Sequence, residues 1–338
     1  MSIRKIDRAR RDFGWSPKMG VEQGVRRMFE WAKQNGPFFG NSLKFAAGGS
    51  AFSTSAGAPA FPPPEAVLRA LACPTCGHGV SGPGASLHCM KCGAYFESRG
   101  RVLDFRRAGI VRKQEELDWS EHWSAEKQHS ASQKFFSLYR KAIFARAVAY
   151  FVDHYLAAEG LLVEAGSGTS ETSMLIDKQG GRRILAAIDL IQAVLESCHP
   201  VMDVCICGDI FRLPFQDGTV DGIWNVGVME HFTHPQIDAI MREFHRVLKP
   251  GGRAVLLWPA VFSIPQRILR VIEFFINLRR PRDDKNRRFR FHPDEISQLR
   301  SAAQGRAVLN RNGFRTVKID LGLRTGMAFE TVIGQKDG

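Results

Sequence analysis

No stretch of this sequence offers the roughly 20 uncharged apolar residues that a membrane-spanning helix needs. The nearest approach, residues 142–163, is broken by Arg146, Asp153 and His154. The opening MSIRKIDRARRDFGW lacks the apolar core of a secretory signal, so secretion is not expected. Acidic residues are in deficit: 34 Asp and Glu face 47 Lys and Arg, a net charge of +13. That balance suits phosphates, nucleic acid or an anionic membrane surface, and by itself selects none of them. Internal repeats are absent. Wholesale disorder is excluded by a hydrophobic content of 44% over 338 residues, a length that fits about two domains.

Cysteine is present but unevenly spread. Four of the seven lie in Cys73-Pro-Thr-Cys76 and Cys89-Met-Lys-Cys92, while Cys198, Cys205 and Cys207 sit among apolar neighbours. The pairs have the spacing of a tetrahedral four-thiolate zinc site, and the scattered three read as small core hydrophobes. Gly77 and Gly93 follow the pairs and permit the tight knuckle that aims backbone N–H groups at sulfur. Four thiolates leave no open coordination position, so Zn2+ is expected to be structural, with recognition of the acceptor as the lesser alternative. A redox dithiol is the residual reading. His78 and His88 read as bystanders. An odd cysteine count without a secretory signal points to a reducing cytoplasm.

Four textures divide the chain. Residues 1–45 are basic and partly amphipathic, with Val21, Val25, Met28, Phe29 and Ala32 at helical spacing. Residues 46–67 begin as a small, Gly/Ser/Pro-rich run that reads as a flexible linker. Residues 68–108 hold the cysteine pairs. From residue 113 to 338, strand-like runs alternate with helical ones, the pattern of a parallel α/β sheet.

Seven strands are expected there, at Gly160–Glu164, Arg183–Ile188, Asp203–Cys207, Gly222–Val226, Arg253–Trp258, Thr316–Leu321 and Ala328–Gly334. A helix is expected over Pro235–Leu248, stopped by Lys249-Pro250-Gly251-Gly252. Directly after the first strand comes Glu164-Ala165-Gly166-Ser167-Gly168-Thr169-Ser170. Its glycines let the backbone turn tightly against a ligand, and a following helix would offer free N–H groups to an anion. The second strand ends at Asp189, whose carboxylate can accept both ribose hydroxyls. The third leads into Gly208-Asp209-Ile210 and Leu213-Pro214-Phe215, where a carboxylate and an amide could meet adenine. The plainer reading of Asp189 and Asp209 is turn capping at a strand end.

Glu164-x-Gly166-x-Gly168, Asp189, Gly208-Asp209, Val228-Met229-Glu230-His231-Phe232 and Phe244-His245-Arg246-Val247-Leu248-Lys249-Pro250-Gly251-Gly252 occur in that order. Together they resemble class I S-adenosylmethionine-dependent methyltransferases of the ubiquinone/menaquinone-biosynthesis type, over about residues 115–335. The resemblance implies an α/β fold: a seven-stranded Rossmann-like sheet with helices on both faces, here joined to a small zinc ribbon. It implies S-adenosylmethionine as cofactor, with Glu164, Gly166 and Gly168 at the methionine end, Asp189 at the ribose and Asp209 with Ile210 at the adenine. Asn225, at the end of the fourth strand, is counted with them. Ser170 stands where relatives commonly have a third glycine. A nicotinamide cofactor is the structural rival, but it gives Gly-Asp-Ile and Lys-Pro-Gly-Gly no role.

Methyl transfer is an in-line displacement, so the protein chiefly positions donor and acceptor. An oxygen or carbon acceptor gains from a base near its proton, and Glu230 and His231 are the catalytic candidates, set against a purely structural helix-start network. Asn225-Val226-Gly227-Val228 is not the Asn/Asp-Pro-Pro-Tyr/Phe cluster of adenine and glutamine amino-methylating relatives.

The segment around Cys92-Gly93-Ala94-Tyr95-Phe96 resembles small zinc ribbons related to the methyltransferase-activating subunit of tRNA and protein modification. Ile6-Asp7-Arg8-Ala9-Arg10-Arg11-Asp12-Phe13-Gly14-Trp15-Ser16-Pro17-Lys18 resembles the C-terminal end of NAD-dependent nucleotide-sugar epimerases. Without their dinucleotide fold it implies no epimerase activity; it reads as a fusion remnant and hints at a sugar or surface-glycan pathway. An insert at 259–300 carries the apolar IPQRILRVIEFFINL, then Arg279, Arg280, Arg282, Lys285, Arg287, Arg288 and Arg290. It reads first as a lid over the acceptor, second as a peripheral contact with an anionic inner membrane surface, third as an RNA contact. The expected function is methylation of oxygen or carbon on a small-molecule, lipid- or sugar-linked acceptor. The alternatives are an rRNA or tRNA base methyltransferase and a non-catalytic binding module.

Overall fold

The computed structural model describes residues 63–82, 86–106, 143–259 and 296–338, together with Val261, Ser263, Arg267, Arg270, Val271, Phe274 and Asn277. All belong to the compact unit Gly57–Gly338. The amphipathic segment 1–45, most of the linker and the basic run 279–290 lie outside the described residues.

The seven expected strands all form: β5 (Gly160–Ala165), β6 (Arg183–Asp189), β7 (Val204–Cys207), β8 (Val220–Val226), β9 (Leu248–Pro259), β10 (Phe314–Asp320) and β11 (Phe329–Lys336). They stand side by side in the order β7-β6-β5-β8-β9-β11-β10. The first five are mutually parallel, while β11 enters antiparallel between β9 and β10. The chain therefore reverses direction across β5 and β8, the switch point where open α/β sheets leave a crevice at the strands' carboxyl ends.

The sheet nonetheless has eleven strands, which corrects the expected seven. The cysteine segment supplies β1 (Val80–Ser81), β2 (Ser86–Cys89), β3 (Tyr95–Arg99) and β4 (Val102–Asp104). Its last strand pairs parallel with β7, Val102 opposite Cys205 and Asp104 opposite Cys207. An unpaired edge at β7 would leave open backbone donors and acceptors, and β4 satisfies them.

Helices cover both faces. On one lie α1 (Glu65–Ala70), α4 (His234–Val247) and α5 (Ala302–Arg311), packed on Val163, Ile188, Ile206, Ile223 and Leu256. On the other lie α2 (Ala145–Tyr155) and α3 (Gln192–Glu196), against Leu162, Leu185, Cys205, Trp224 and Val255. α4 begins with a capping box between Thr233 and Gln236, and buries Ile237, Ile240, Met241, Phe244 and Val247 at 3.6-residue spacing. It ends at Val247, and Lys249-Pro250-Gly251-Gly252 becomes the start of β9, where Gly251 takes φ +78°. Cys198, Cys205 and Cys207 are buried among hydrophobes, as their neighbours suggested. Among the described residues no helix is long and apolar enough to cross a membrane.

Candidate active site

The glycine motif turns at the carboxyl end of β5, with Gly166 at φ +73° and Gly168 at φ +52°. A Cβ on Gly166 would lie 2.8 Å from Cγ2 of Val228, so the side chain after β8 packs where any other residue would stand. Gly166 and Ser167 donate their N–H groups to the Ile188 carbonyl, fixing the motif to β6. The expected helix after the motif is absent. Ser170 itself takes φ +54°, a left-handed conformation incompatible with helix continuation, and only a 3-10 turn at Glu171–Ser173 follows. The same φ gives a physical reason for glycine to be common at that position.

Asp189 closes the motif from the neighbouring strand. Its Oδ2 accepts the Gly168 N–H at 2.8 Å and its Oδ1 the Ile191 N–H at 2.9 Å. Burial pushes its pKa up, with the amides of Ile191 and Gly168 working against that. Gly208 N–H donates to the Asp189 carbonyl at 2.9 Å, tying β7's exit to β6's, and Asp209 Oδ1 accepts the Phe211 N–H at 2.9 Å. Both aspartates thus cap turns, as the plainer reading expected, and both stand at the crevice. Ile210 is buried beside them.

Glu164 lies on the opposite face from Gly166's neighbour Ala165, 2% exposed. Ser173 donates to its Oε1 at 2.9 Å, Trp224 Nε1 donates to Ser173 Oγ at 3.2 Å, and Oε2 has no partner. Burial pushes its carboxyl up to about 8.

Asn225 is fully buried at the end of β8, and neither side-chain atom has a hydrogen-bond partner. Glu230 and His231 sit in a 3-10 turn at Met229–His231, with Glu230 Oε1 3.8 Å from His231 Nε2. The Glu230 backbone carbonyl accepts the Ile296 and Ser297 N–H groups, so the turn also anchors the chain beyond the insert. A Cβ on Gly227 would meet Glu230 Oε1 at 3.2 Å and the Phe329 ring at 3.6 Å, which puts the carboxylate over the β8 terminus.

Two residues at this edge escaped the sequence reading. Glu330 Oε2 and the buried Thr331 Oγ1 also have no partner, and burial pushes the Glu330 carboxyl up. Glu330 pairs with Trp258 and Thr331 with Leu257, while Asn225 and Val226 face Leu256 and Leu257 across β9. Orphaned buried polar atoms are rare and costly, and among the described residues they gather along β5, β8 and β11 at the crevice end. The only sequence signal was a Glu-Thr pair in an apolar strand.

The cysteine module lies on the other side of the sheet, beyond β7. The Sγ atoms of Cys73, Cys76, Cys89 and Cys92 all lie within 4.8 Å of one another, with Cys73 to Cys92 at 3.5 Å and Cys76 to Cys89 at 3.4 Å. Tetrahedral Zn–S bonds of about 2.3 Å separate sulfurs by just under ~4 Å, so the donor set fits. Gly77 and Gly93 take φ +76° and +69° and donate to the Cys73 and Cys89 carbonyls at 2.8 and 2.9 Å. Burial works to raise the Cys89 thiol, but the Cys92 and Lys91 amides and the adjoining thiols outweigh it and bring it to about 7. Neither His78 nor His88 joins the cluster.

Residues 163–256, from the glycine motif through β9, match a family described as "Methyltransferase domain". The match covers less than a third of the chain, from β5 into β9. It is similar to the biotin biosynthesis bifunctional protein BioHC of Cellvibrio japonicus (strain Ueda107), with 31% identity over 40% of this chain and 28% of that one. A malonyl-[acyl-carrier protein] O-methyltransferase of Herminiimonas arsenicoxydans is 32% identical over 27% of this chain and 34% of its own length. The chain thus spans about a third of the length of these curated relatives. Among solved structures, magnesium protoporphyrin IX methyltransferase from Synechocystis PCC 6803 with bound SAH superposes with a TM-score of 0.45 at 15% identity, over 68% of this chain and 99% of that one. Glu164, Gly166, Gly168, Asp189, Asp209, Asn225 and Glu230 all lie inside the matched segment, and Glu330 and Thr331 lie beyond it.

Proposed function

We propose that the chain is an S-adenosylmethionine-dependent methyltransferase acting on oxygen or carbon of a small-molecule, lipid- or sugar-linked acceptor. The observation that carries this reading is the Asp189 carboxylate, drawn to Gly168 and Ile191 at the mouth of the motif turn. It matches what a ribose diol requires, two adjacent acceptor oxygens held rigidly. Gly166 and Gly168 let the backbone approach the methionine end, Asp209 and Ile210 border the adenine, and Asn225 offers both a donor and an acceptor. Cys73, Cys76, Cys89 and Cys92 would hold a structural Zn2+.

When bound, the cofactor would supply the methyl group of its sulfonium and leave as a neutral thioether. This chain's residues orient it, and the buried ends of β5 and β8 exclude water. Glu230, with His231 beside it, takes the acceptor's proton as the new C–O or C–C bond forms. Glu330 orients the acceptor through the carboxylate oxygen it leaves unmatched. An oxygen acceptor agrees with the relative named as a malonyl-[acyl-carrier protein] O-methyltransferase.

A tritiated methyl donor incubated with the protein and fractionated cell extract tests the reading. Label in the lipid, glycan or small-molecule pool is expected. Label confined to RNA assigns the base-methylating alternative, and no label in any pool despite cofactor binding leaves a binding module.

A further inference from the structure

The carboxyl edge of the sheet carries more than the crevice. β9 ends there at Pro259, β11 begins there at Phe329, and the β10–β11 connection closes over it, with Phe329 opposite Pro259 and Asp320 opposite Thr331. Half of the ten large apolar side chains exposed among the described residues stand at this edge, Val261 just past Pro259 among them. Leu321, Leu323 and Met327 lie on the β10–β11 connection, Leu323 at 81% exposure, and Ile296 stands where the chain returns to the sheet. Between Pro259 and Ile296, residues Arg267, Arg270, Val271, Phe274 and Asn277 are helical. Their spacing of three and four puts them on one stripe, in which Val271 and Phe274 are exposed beside exposed Arg267 and Arg270.

Exposed apolar groups gathered on one edge of a water-soluble domain mark a contact surface. Their chemistry selects the occupant. Apolar tips flanked by arginines, on a chain of net charge +13, match the acyl boundary and the phosphates of an anionic bilayer. We propose that this edge docks on an anionic phospholipid surface, which turns the mouth of the crevice toward the membrane. The inference rests on the proposed methyltransferase reading for its purpose, since an acceptor with a lipid tail would then enter the crevice without crossing water. Docking itself requires no catalysis.

Flotation of the full-length chain tests it, with vesicles of phosphatidylcholine alone or with a third phosphatidylglycerol. The chain is expected to float with the anionic vesicles and to be released by salt. Arg267→Glu with Arg270→Glu should weaken partition at least about tenfold, by the usual contribution of a basic residue at an anionic surface. Phe274→Asp with Leu323→Asp should weaken it comparably while leaving charge attraction in place. None of these residues belongs to the cofactor crevice, so titration with S-adenosylhomocysteine should be unchanged in every variant. That separates a failed membrane surface from a failed methyltransferase reading. The proposal is overturned if the wild type stays at the bottom of the gradient, if both double variants float as well as it does, or if the apolar variant merely converts a dimer to a monomer. Retention on RNA without flotation also overturns it.

Discussion

The backbone N–H of Gly168 lies 2.8 Å from Oδ2 of Asp189, so the loop after one strand is held by the carboxylate that ends the next. Removing that carboxylate loosens the loop and deletes the proposed ribose acceptor together. Asp189→Ala is expected to weaken S-adenosylhomocysteine binding by at least about tenfold, since hydrogen bonds to charged groups are worth roughly 1.5–3 kcal/mol. Asp189→Asn, which keeps one acceptor, should lose less. Isothermal calorimetry reads both.

Gly166 is fixed by two independent demands. A Cβ there would stand 2.8 Å from Val228 Cγ2, and φ is +73°. Gly166→Ala should destabilise the fold by about 1–3 kcal/mol through clash and strain together. Adding Val228→Ala relieves the clash but not the dihedral, so recovery in urea unfolding should be partial. Full recovery would show that only the contact mattered.

Glu164 gives the fold a pH dependence with a definite sign. Its carboxyl is raised by burial from 4.5 to about 8, so between those values the folded state holds a proton that the unfolded state has lost. Stability contributed by the neutral form is complete below the unfolded value and falls as pH rises toward 8, by at most about 1.4 kcal/mol per pH unit. Glu164→Gln should flatten that decline in denaturant titrations from pH 5 to 9. A slope unchanged by the substitution would mean Glu164 is charged throughout.

Most of the sheet was legible because its strands are buried on both faces and read as apolar runs. Leu161-Leu162-Val163 and Val255-Leu256-Leu257 carry little else. The Asp189 and Asp209 positions were legible because carboxylates at strand ends break those runs. The eleven-stranded sheet was not, because the β4–β7 pairing uses backbone groups that no side-chain pattern announces. The absent helix after the motif was hidden too: Thr169-Ser170-Glu171 reads as a helix start, but Ser170 takes a left-handed φ and bonds instead to Cys198, whose Sγ donates to its Oγ at 3.3 Å. Glu330 was missed because one acidic residue in a strand usually faces water.

Metal removal should be felt at residues 208–216, the proposed adenine loop. Ala72 N–H donates to the Pro214 carbonyl at 2.9 Å, Arg212 Nε to the Pro74 carbonyl at 3.4 Å, and β4 pairs along β7, so the cysteine module brackets residues 208–216 from two sides. The chain should bind one zinc, lost in Cys76→Ser. Chelation should lower the melting temperature and weaken S-adenosylhomocysteine binding several-fold, and the cofactor should by reciprocity tighten zinc. Equal cofactor affinity with and without metal would confine the module to an independent scaffold.

Glu330 and Glu230 should separate from the cofactor residues in kinetics. With the acceptor pool identified by labelling, Glu330→Gln is expected to raise KM for the acceptor, and Glu230→Gln to lower kcat about a hundredfold, the usual worth of a positioned base. Neither should change cofactor affinity. A parallel loss of cofactor binding would place them in the fold's support instead.

The most direct measurement is a crystal of the full chain soaked with S-adenosylhomocysteine. Density for its ribose against Asp189, its adenine beside Asp209 and Ile210, and its sulfur facing the β8 terminus at Asn225 is the expected result. A crevice filled by the chain's own side groups, or the compound bound elsewhere, would contradict the account.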